Sequence, residues 1–382
     1  MALVPAAKED SGRLRELGVP GNVYPLDLAF GLDRLPHRAT VAAMLEIARE
    51  STRRDSYEEA QKILKERTRI DCNDDAMRKI TNAIGGIVFR NDMAAAESAW
   101  KKSFGSGTAL VPEAKKNHTL YLEFGGAALP TRLGDGKHGT VYRENKSCMA
   151  FSTAGMIWLT DENGGRRPSI TSREYAGYLG GAEEFAKLAY SLALKNGYGR
   201  YLNTVVISDG AAWVRDLKEL LFPEAQQILN FFQLEEHIID YAKIIFNKNK
   251  GKYIPWSENI SRLFKSSETE KAINLIEKSK NNKYLINSGK LMEYINYNFK
   301  NIDYAEYSAN GYVIGSEAIE GSNKAVVNRR LKYGAMRWNV ESAQAVLSLM
   351  AKARSGLWES EVARAAYVEF GEPMPRALDL TA

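Results

Sequence analysis

Apolar residues in the N-terminal part of the chain recur at the spacing of three successive helices. The inner face of the first predicted helix consists of Val41, Met44, Leu45 and Ala48. The second helix is expected to begin at Ser56, because Ser56 and Glu59 have the spacing of a capping box. The third is expected to begin near Asn73, ahead of two aspartates that favour a helix N-terminus. Its apolar face consists of Met77, Ile80 and Ile84, and Gly85-Gly86 is expected to end it.

Three short helices with a tight turn before the third are typical of a helix-turn-helix. In that interpretation the third helix presents Arg78, Lys79 and Asn82 to DNA on its exposed side. A plain helical hairpin with a solvated polar face is the alternative. The pattern by itself leaves both interpretations open.

Hydrophobic alternation with a period of two predicts a strand over residues 117–129. One face of this strand carries Tyr121, Glu123 and Gly125, and the other carries Leu120, Leu122 and Phe124. Further strands are expected within 139–160 and at 204–208, with helices over 181–196 and 211–221 and from about Leu234. Strands interleaved with helices predict an α/β (α+β) fold built on a mixed sheet flanked by helices.

Residues 244–310 differ in composition, being rich in Lys, Asn, Ile and Ser, with helical periodicity. They predict an all-helical insertion, and helices are expected to follow over 316–333 and 340–355. The expected organisation is therefore an arm (1–38), a helical DNA-binding domain (39–110), a first part of the sheet core (115–243), the insertion (244–310), C-terminal helices (311–358) and a tail (359–382).

Composition narrows the function classes only slightly. The 382 residues carry a formal net charge of +5 and a pI of about 8.9, which suits nucleic acid but also many enzymes. Apolar runs are far too short to span a membrane, and the N-terminus is too charged for a secretory signal. Cys72 and Cys148 show no disulfide or metal-ligand spacing, so a reducing cytoplasm and no membrane association are expected.

Asp209 is the most informative single residue, because it follows an apolar strand and precedes Gly210 and a helix. It is expected at the carboxyl end of that strand, the edge at which α/β sheets bind ligands and metals. The alternative is an acid that caps the next helix or starts a turn.

A second candidate lies in the segment 315–324, where Glu320 falls in the first turns of a predicted helix. Glu320 either faces the sheet edge as a metal ligand or pairs with Lys324 four residues later. Basic residues suited to phosphate contacts accompany it, namely Lys324, Arg329, Arg330, Lys332 and Arg337. A solvated charged face is the alternative for this group.

Five segments carry a family resemblance: YLEFGGAALPTR, REYAGYLGGAEEF, VVISDGAAWV, ILNFFQLEEHI and the stretch from GSEAIEGSNK to KARSGLW. Together they resemble DDE transposases of bacterial insertion sequences, of the Mutator-like, transposase-like subgroup. The resemblance covers roughly residues 40–360, and its C-terminal stretch is the most specific part.

This resemblance implies an RNase H-like fold with three acids that bind two Mg²⁺ (or Mn²⁺) ions for phosphodiester cleavage and strand transfer. One acid lies on the first strand, one after a later strand and one on a helix beyond an all-helical insertion. Asp209 matches the second acid and Glu320 the third. The implied partners are double-stranded DNA (element ends and target) and further copies of the chain assembled on it, which places the protein at the bacterial nucleoid.

The chain departs from the family pattern at two motifs. Gly125 stands where the first acid belongs, with Glu123 and Asp135 as nearby substitutes, and glycine cannot bind a metal. Asn230 and Gln233 stand where the family has Asp-x-x-His, and neither titrates near neutral pH. The leading hypothesis is a catalytically impaired transposase. The alternatives are a non-catalytic, transposase-derived DNA-binding protein or regulator, and a decayed copy without a role.

Two ring side chains near these motifs have open interpretations. Trp213 either stacks on a displaced base or, as is more usual, packs in the core. His237 either partly replaces the missing histidine or has no such role, because it lies one helical turn beyond that place.

Overall fold

The structure is a computed structural model that describes residues 32, 38–105, 116–133, 139–160, 166–279, 285–315, 330–332, 336–373 and 375. The predictions for the arm concern residues outside this set apart from 32 and 38. Most of the helix expected over 316–333 also lies outside the described residues.

Three helices form the N-terminal part: α1 (Val41–Arg53), α2 (Tyr57–Thr68) and α3 (Asp74–Phe104). Each begins where a polar side chain accepts a hydrogen bond from a backbone N–H of the first turn. Ser56 accepts from Glu59 at 3.1 Å, and Asn73 accepts from Ala76 at 2.9 Å. The starts predicted for the second and third helices are therefore confirmed.

The predicted end of α3 at Gly85-Gly86 is wrong, because the helix continues to Phe104. Gly85 is buried at a close approach to a C-terminal helix, α11 (Val340–Arg354). A β-carbon at residue 85 would lie only 2.4 Å from the carbonyl oxygen of Ala345. The glycine therefore serves helix–helix packing, and not helix termination.

The strands form one mixed five-stranded sheet in the order β5-β2-β1-β6-β7, plus a separate two-stranded hairpin of β3 and β4. Their bounds are β1 (Lys116–Arg132), β2 (Thr140–Ser152), β3 (Met156–Thr160), β4 (Arg166–Ile170), β5 (Arg173–Tyr178), β6 (Tyr201–Ser208) and β7 (Gln226–Leu229). β2 is antiparallel to both β1 and β5. β6 is parallel to β1, and β7 is parallel to β6.

Helices cover both faces of the sheet, so the mixed α and β architecture expected from the sequence is confirmed. α4 (Ala182–Lys195) and α5 (Ala212–Leu221) pack on the face that carries Leu120, Leu122 and Phe124. The opposite face carries Tyr121 and Leu129 and packs against α6 (Phe231–Ile245). The alternation predicted for the first strand therefore corresponds to two separate hydrophobic clusters.

The described residues between 250 and 309 are helical and contain no strand. They form α7 (Lys250–Lys265), α8 (Thr269–Lys278), α9 (Leu285–Tyr297) and α10 (Tyr304–Ala309). Ile260, Phe264, Ile276 and Ile295 are fully buried in the same cluster as Tyr121. The helical segment therefore extends the hydrophobic core on that face of the sheet.

The C-terminal helices share a core with the N-terminal ones. α11 is followed by a π-helical turn (Trp358–Ala363) and by α12 (Arg364–Phe370). Trp358, Val362 and Tyr367 pack with Met44 and Met77 in one cluster. The prediction of a tail over 359–382 does not include the π-helical turn or α12, although the spacing of their apolar side chains is helical. None of the described helices has the length and apolar character needed to span a membrane.

Gly85→Ala is expected to lower the free energy of unfolding by about 1–3 kcal/mol, because its methyl group would collide with backbone atoms of α11. Gly86→Ala is the matched control, since only the Arg90 guanidinium lies within reach, at 3.8 Å. That variant is expected to gain about 0.5–1 kcal/mol from the helix preference of alanine. Urea unfolding of the three proteins measures both effects, and equal stability of the two variants would contradict the packing role of Gly85.

Candidate functional site

Three adjacent parallel strands bring together residues that are far apart in the sequence. Phe124 of β1 lies beside Ser208 of β6, so Gly125 and Asp209 follow at neighbouring positions. Leu229 of β7 lies on the other side of Ser208, and the Asn230 N–H donates to the Ser208 carbonyl at 2.8 Å. Positions 125, 209 and 230 therefore meet at one edge, which is called here the 125/209/230 edge.

Asp209 is partly buried at this edge. Burial raises the pKa of its carboxyl, and the negative charge of Glu144 adds to the rise. Hydrogen bonds from the backbone N–H groups of Ala211, at 3.0 Å, and of Gly126 lower the pKa and offset part of the effect. Gly210 has a φ of +88°, which a residue with a side chain rarely adopts, so a glycine is needed to turn the chain here.

Glu144 of β2 reaches across β1 toward the 125/209/230 edge. A β-carbon at residue 126 would lie 2.7 Å from one Glu144 carboxylate oxygen, so Gly126 leaves room for this side chain. The other Glu144 oxygen accepts from the Lys146 ammonium at 2.6 Å. Glu144 and Lys146 are not among the site residues predicted from the sequence, because their positions depend on the register between β1 and β2.

Glu123 and Asn230 are both buried below this edge. The Asn230 amide nitrogen lies 3.5 Å from a Glu123 carboxylate oxygen, while the amide oxygen accepts from the Phe232 N–H at 3.1 Å and caps α6. Gln233 instead donates to Glu236 on the helix surface at 2.8 Å. Glu123, one of the two possible substitutes, therefore has its carboxylate inside the protein.

A metal site at the 125/209/230 edge is not complete among the described residues. Within the part of the chain that the structure describes, no three His, Cys, Asp or Glu side chains are placed to hold a metal ion. Asp209 and the lysine-paired Glu144 are the carboxylates identified at this edge. Asp135 and Glu320 lie outside the described residues. The described side chains do not fit a pair of Mg²⁺ ions.

The residues expected to read DNA on α3 differ in exposure. Arg78 and Lys79 reach solvent, and both pair with Asp75, at 2.5 and 2.7 Å. Asn82 is partly buried and donates to the Ser342 hydroxyl of α11 at 2.8 Å. The prediction of an exposed position is therefore wrong for Asn82, because this part of α3 packs against α11.

Arg330 is buried, so the prediction that it contacts DNA phosphate is wrong. Its guanidinium carbon lies 4.4 Å from the Tyr57 ring centroid and 4.9 Å from that of Trp338. Its Nε donates to the Ser51 carbonyl at 2.8 Å. Arg330 therefore joins the end of α1 and the start of α2 to the segment that precedes α11. Burial lowers the pKa of its guanidinium.

The predicted basic group has four further members, of which the structure describes two. Lys332 and Arg337 are exposed, as the phosphate-contact prediction requires. Lys324 and Arg329 lie outside the described residues.

Trp213 packs edge-on against Phe124 and Phe185, with ring centroids 6.4 and 5.7 Å away. Lys146 lies over its ring at 5.4 Å from the centroid. Of the two interpretations of Trp213, the packing one agrees with this geometry.

No family model matches the chain, and no curated protein matches its sequence.

Arg330→Ala is expected to lower the free energy of unfolding by about 2–4 kcal/mol, because two ring contacts and buried hydrogen bonds are lost. Lys332→Ala, two residues away and exposed, is the matched control and is expected to change stability by less than about 0.5 kcal/mol. Chemical unfolding measures both variants. Equal, small changes would contradict the packing role of Arg330.

Asp209→Asn is expected to raise the melting temperature at pH 8. Because burial raises the pKa of Asp209, the folded chain binds this proton more tightly than the unfolded chain does. Ionisation of Asp209 therefore lowers the free energy of unfolding. This loss of stability develops as the pH rises through that pKa and is complete above it. Asparagine cannot ionise and retains an oxygen that accepts from Ala211.

Calorimetry at pH 8 and pH 3 checks this expectation, since the difference should vanish once the aspartate is protonated. Asp216→Asn removes a charge from an exposed position and serves as the control. An unchanged or lower melting temperature of Asp209→Asn at pH 8 would contradict the destabilising effect of the buried carboxylate.

Proposed function

We propose that this chain is an insertion-sequence transposase with an RNase H-like core whose strand-transfer chemistry is impaired at position 125. In this proposal it binds double-stranded DNA at element ends as an oligomer. The observation that carries the proposal is the register of β1 and β6, which makes Gly125 the neighbour of Asp209. The family resemblance requires its first two acids to meet in this way.

The chemistry of phosphodiester cleavage explains why position 125 matters. The scissile phosphate is negative, and the leaving 3′ oxygen gains further charge in the transition state, so cations must be held on both sides. Bound Mg²⁺ would supply that charge stabilisation. Asp209 has an oxygen for such an ion, whereas Gly125 has no side chain that could contribute a second one.

Asn230 favours the alternative of a non-catalytic DNA-binding protein derived from a transposase. Its amide caps α6 and contacts the buried Glu123, which is a packing role that needs no titratable group. A neutral amide in place of a carboxylate also removes a negative charge from beside Asp209. The chain would then retain the scaffold and bind DNA as a regulator.

Restoration of the first acid distinguishes the impaired enzyme from the regulator. The assay measures strand cleavage of DNA that carries the gene's own flanking ends, with Mg²⁺ or Mn²⁺. We expect the unchanged protein to bind these ends without cutting them, and Gly125→Asp to cut at least about 100-fold faster. Gly125→Asn is the matched control, because it adds similar bulk without a carboxylate.

Each outcome of this assay decides between the hypotheses. Cleavage by Gly125→Asp that is lost when Asp209→Ala is added supports an intact scaffold with one missing acid. Binding without cleavage in every variant favours the regulator. Cleavage by the unchanged protein at the rate of Gly125→Asp would overturn the impairment. Failure to bind the flanking ends would overturn both functions.

A further inference from the structure

A cavity of about 580 Å³ opens directly beside the 125/209/230 edge. It lies between α6 and α9, and Gly210, the residue after Asp209, forms part of its wall. Its volume is within the range of about 300–1,000 Å³ that is usual for small-molecule sites. Gly210, Ala212 and His237 of the segments that carry the family resemblance line it, whereas Gly125, Asp209, Asn230 and Gln233 do not.

Four ring side chains line this cavity: His237, Tyr241, Tyr294 and Tyr297. The His237 and Tyr294 rings are in contact, with centroids 4.2 Å apart and planes inclined by 40°. Tyr241 is buried, whereas Tyr297 is 42% exposed. Flat, exposed rings beside a cavity provide surfaces on which a planar group can stack.

Charged side chains lie in the wall of the cavity and directly beside it, where Arg215 packs on the lining residue Tyr297. The Arg215 guanidinium lies 3.6 Å from the Tyr297 ring centroid, and it donates to the Tyr297 carbonyl at 2.8 Å. Lys290 adds a second cation, and Asp240 and Glu293 add acceptors. Cations suit phosphates, whereas carboxylates repel phosphates and accept from the N–H groups on base edges.

The cavity is coupled to Asp209 through the chain itself. The Tyr294 hydroxyl donates to the Asp209 carbonyl at 2.9 Å. A β-carbon at residue 210 would lie 2.8 Å from the Tyr294 ring, so the backbone passes directly against the aromatic wall. The cavity therefore begins at the residue that follows Asp209.

We propose that this cavity binds one unpaired base of a DNA strand whose backbone passes the 125/209/230 edge. This inference rests on the proposed function, since it identifies the DNA conformation held at the same edge. Unstacking a base from a duplex is unfavourable, and stacking on the cavity rings offsets that loss of stacking. Tyr297 is the principal stacking surface and His237 the second, because both are exposed.

The test uses a fluorescein-labelled 15-nucleotide DNA single strand, the same sequence as a blunt duplex, and the same sequence as RNA. Fluorescence anisotropy gives the dissociation constants. We expect Tyr297→Leu and His237→Leu each to weaken single-strand binding about tenfold, because each removes a ring. Tyr297→Phe retains the ring and is expected to bind within about twofold of the unchanged protein. Tyr142→Leu alters an exposed tyrosine outside the cavity and is the second control.

Photocrosslinking locates the base. A single strand with one 5-iododeoxyuridine is irradiated with the protein, and the crosslinked residue is identified by peptide mass spectrometry. A crosslink at Tyr297, Tyr294 or His237 supports the proposal, and crosslinks only elsewhere would overturn it. Equal binding by Tyr297→Leu and Tyr297→Phe would also overturn it.

Comparison of binding to the duplex, to the DNA single strand and to the RNA tests this inference apart from the proposed function. If the protein binds the duplex but not the single strand, the proposal that the cavity binds a base is overturned and the proposed binding of double-stranded DNA is supported. If it binds neither DNA, both fail. Tighter binding of the RNA than of the DNA single strand would overturn the assignment of the cavity to DNA.

Discussion

The parallel pairing of β1 with β6 is the interaction on which the rest of the fold depends. Parallel neighbours cannot be joined by a tight turn, so the chain between them builds β2, β5 and α4 before it returns. Both strands lie at the centre of the sheet, and Val205, Val206 and Ile207 are fully buried across its two faces. Burial on both faces fixes the register, because a slip of one residue would exchange the two hydrophobic sets.

A site that is built by strand register tolerates loss of its side chains. The backbone brings position 125 to Asp209 whether that residue is an acid or a glycine, since the pairing uses main-chain groups. The loss of a carboxylate at the sheet edge also removes a charge that burial disfavours. In the proposed function, a chain that lacks the first acid can therefore remain folded, because the sheet core does not depend on that side chain.

Patterns among neighbouring residues were sufficient to predict most helices and strands. The features that the sequence did not predict depend on contacts between residues that are far apart in the chain. The helix caps and the alternation of β1 depend on neighbouring residues, so they could be predicted. Gly85 could not be interpreted correctly, because its partner Ala345 lies in a distant helix. The charge of Arg330 predicts a surface position, although the structure places its guanidinium between two aromatic rings. The position of Glu144 depends on the strand register, and the aromatic cavity depends on the packing of α9 against α6. Hydrophobic periodicity along the sequence contains no information on either.

The core that the N-terminal helices share with α11 and residues 358–370 has a consequence for synthesis of the chain. The first three helices leave the ribosome long before their hydrophobic partners exist. At about 5–20 residues per second, synthesis of the chain from the end of α3 to the end of α11 takes roughly 12–50 s. During this time the apolar faces of α1 and α3 have no α11 to cover them, so they are open to chaperones and proteases. A transcript truncated before residue 340 would therefore yield a product with an uncovered core, and the cell would be expected to degrade it.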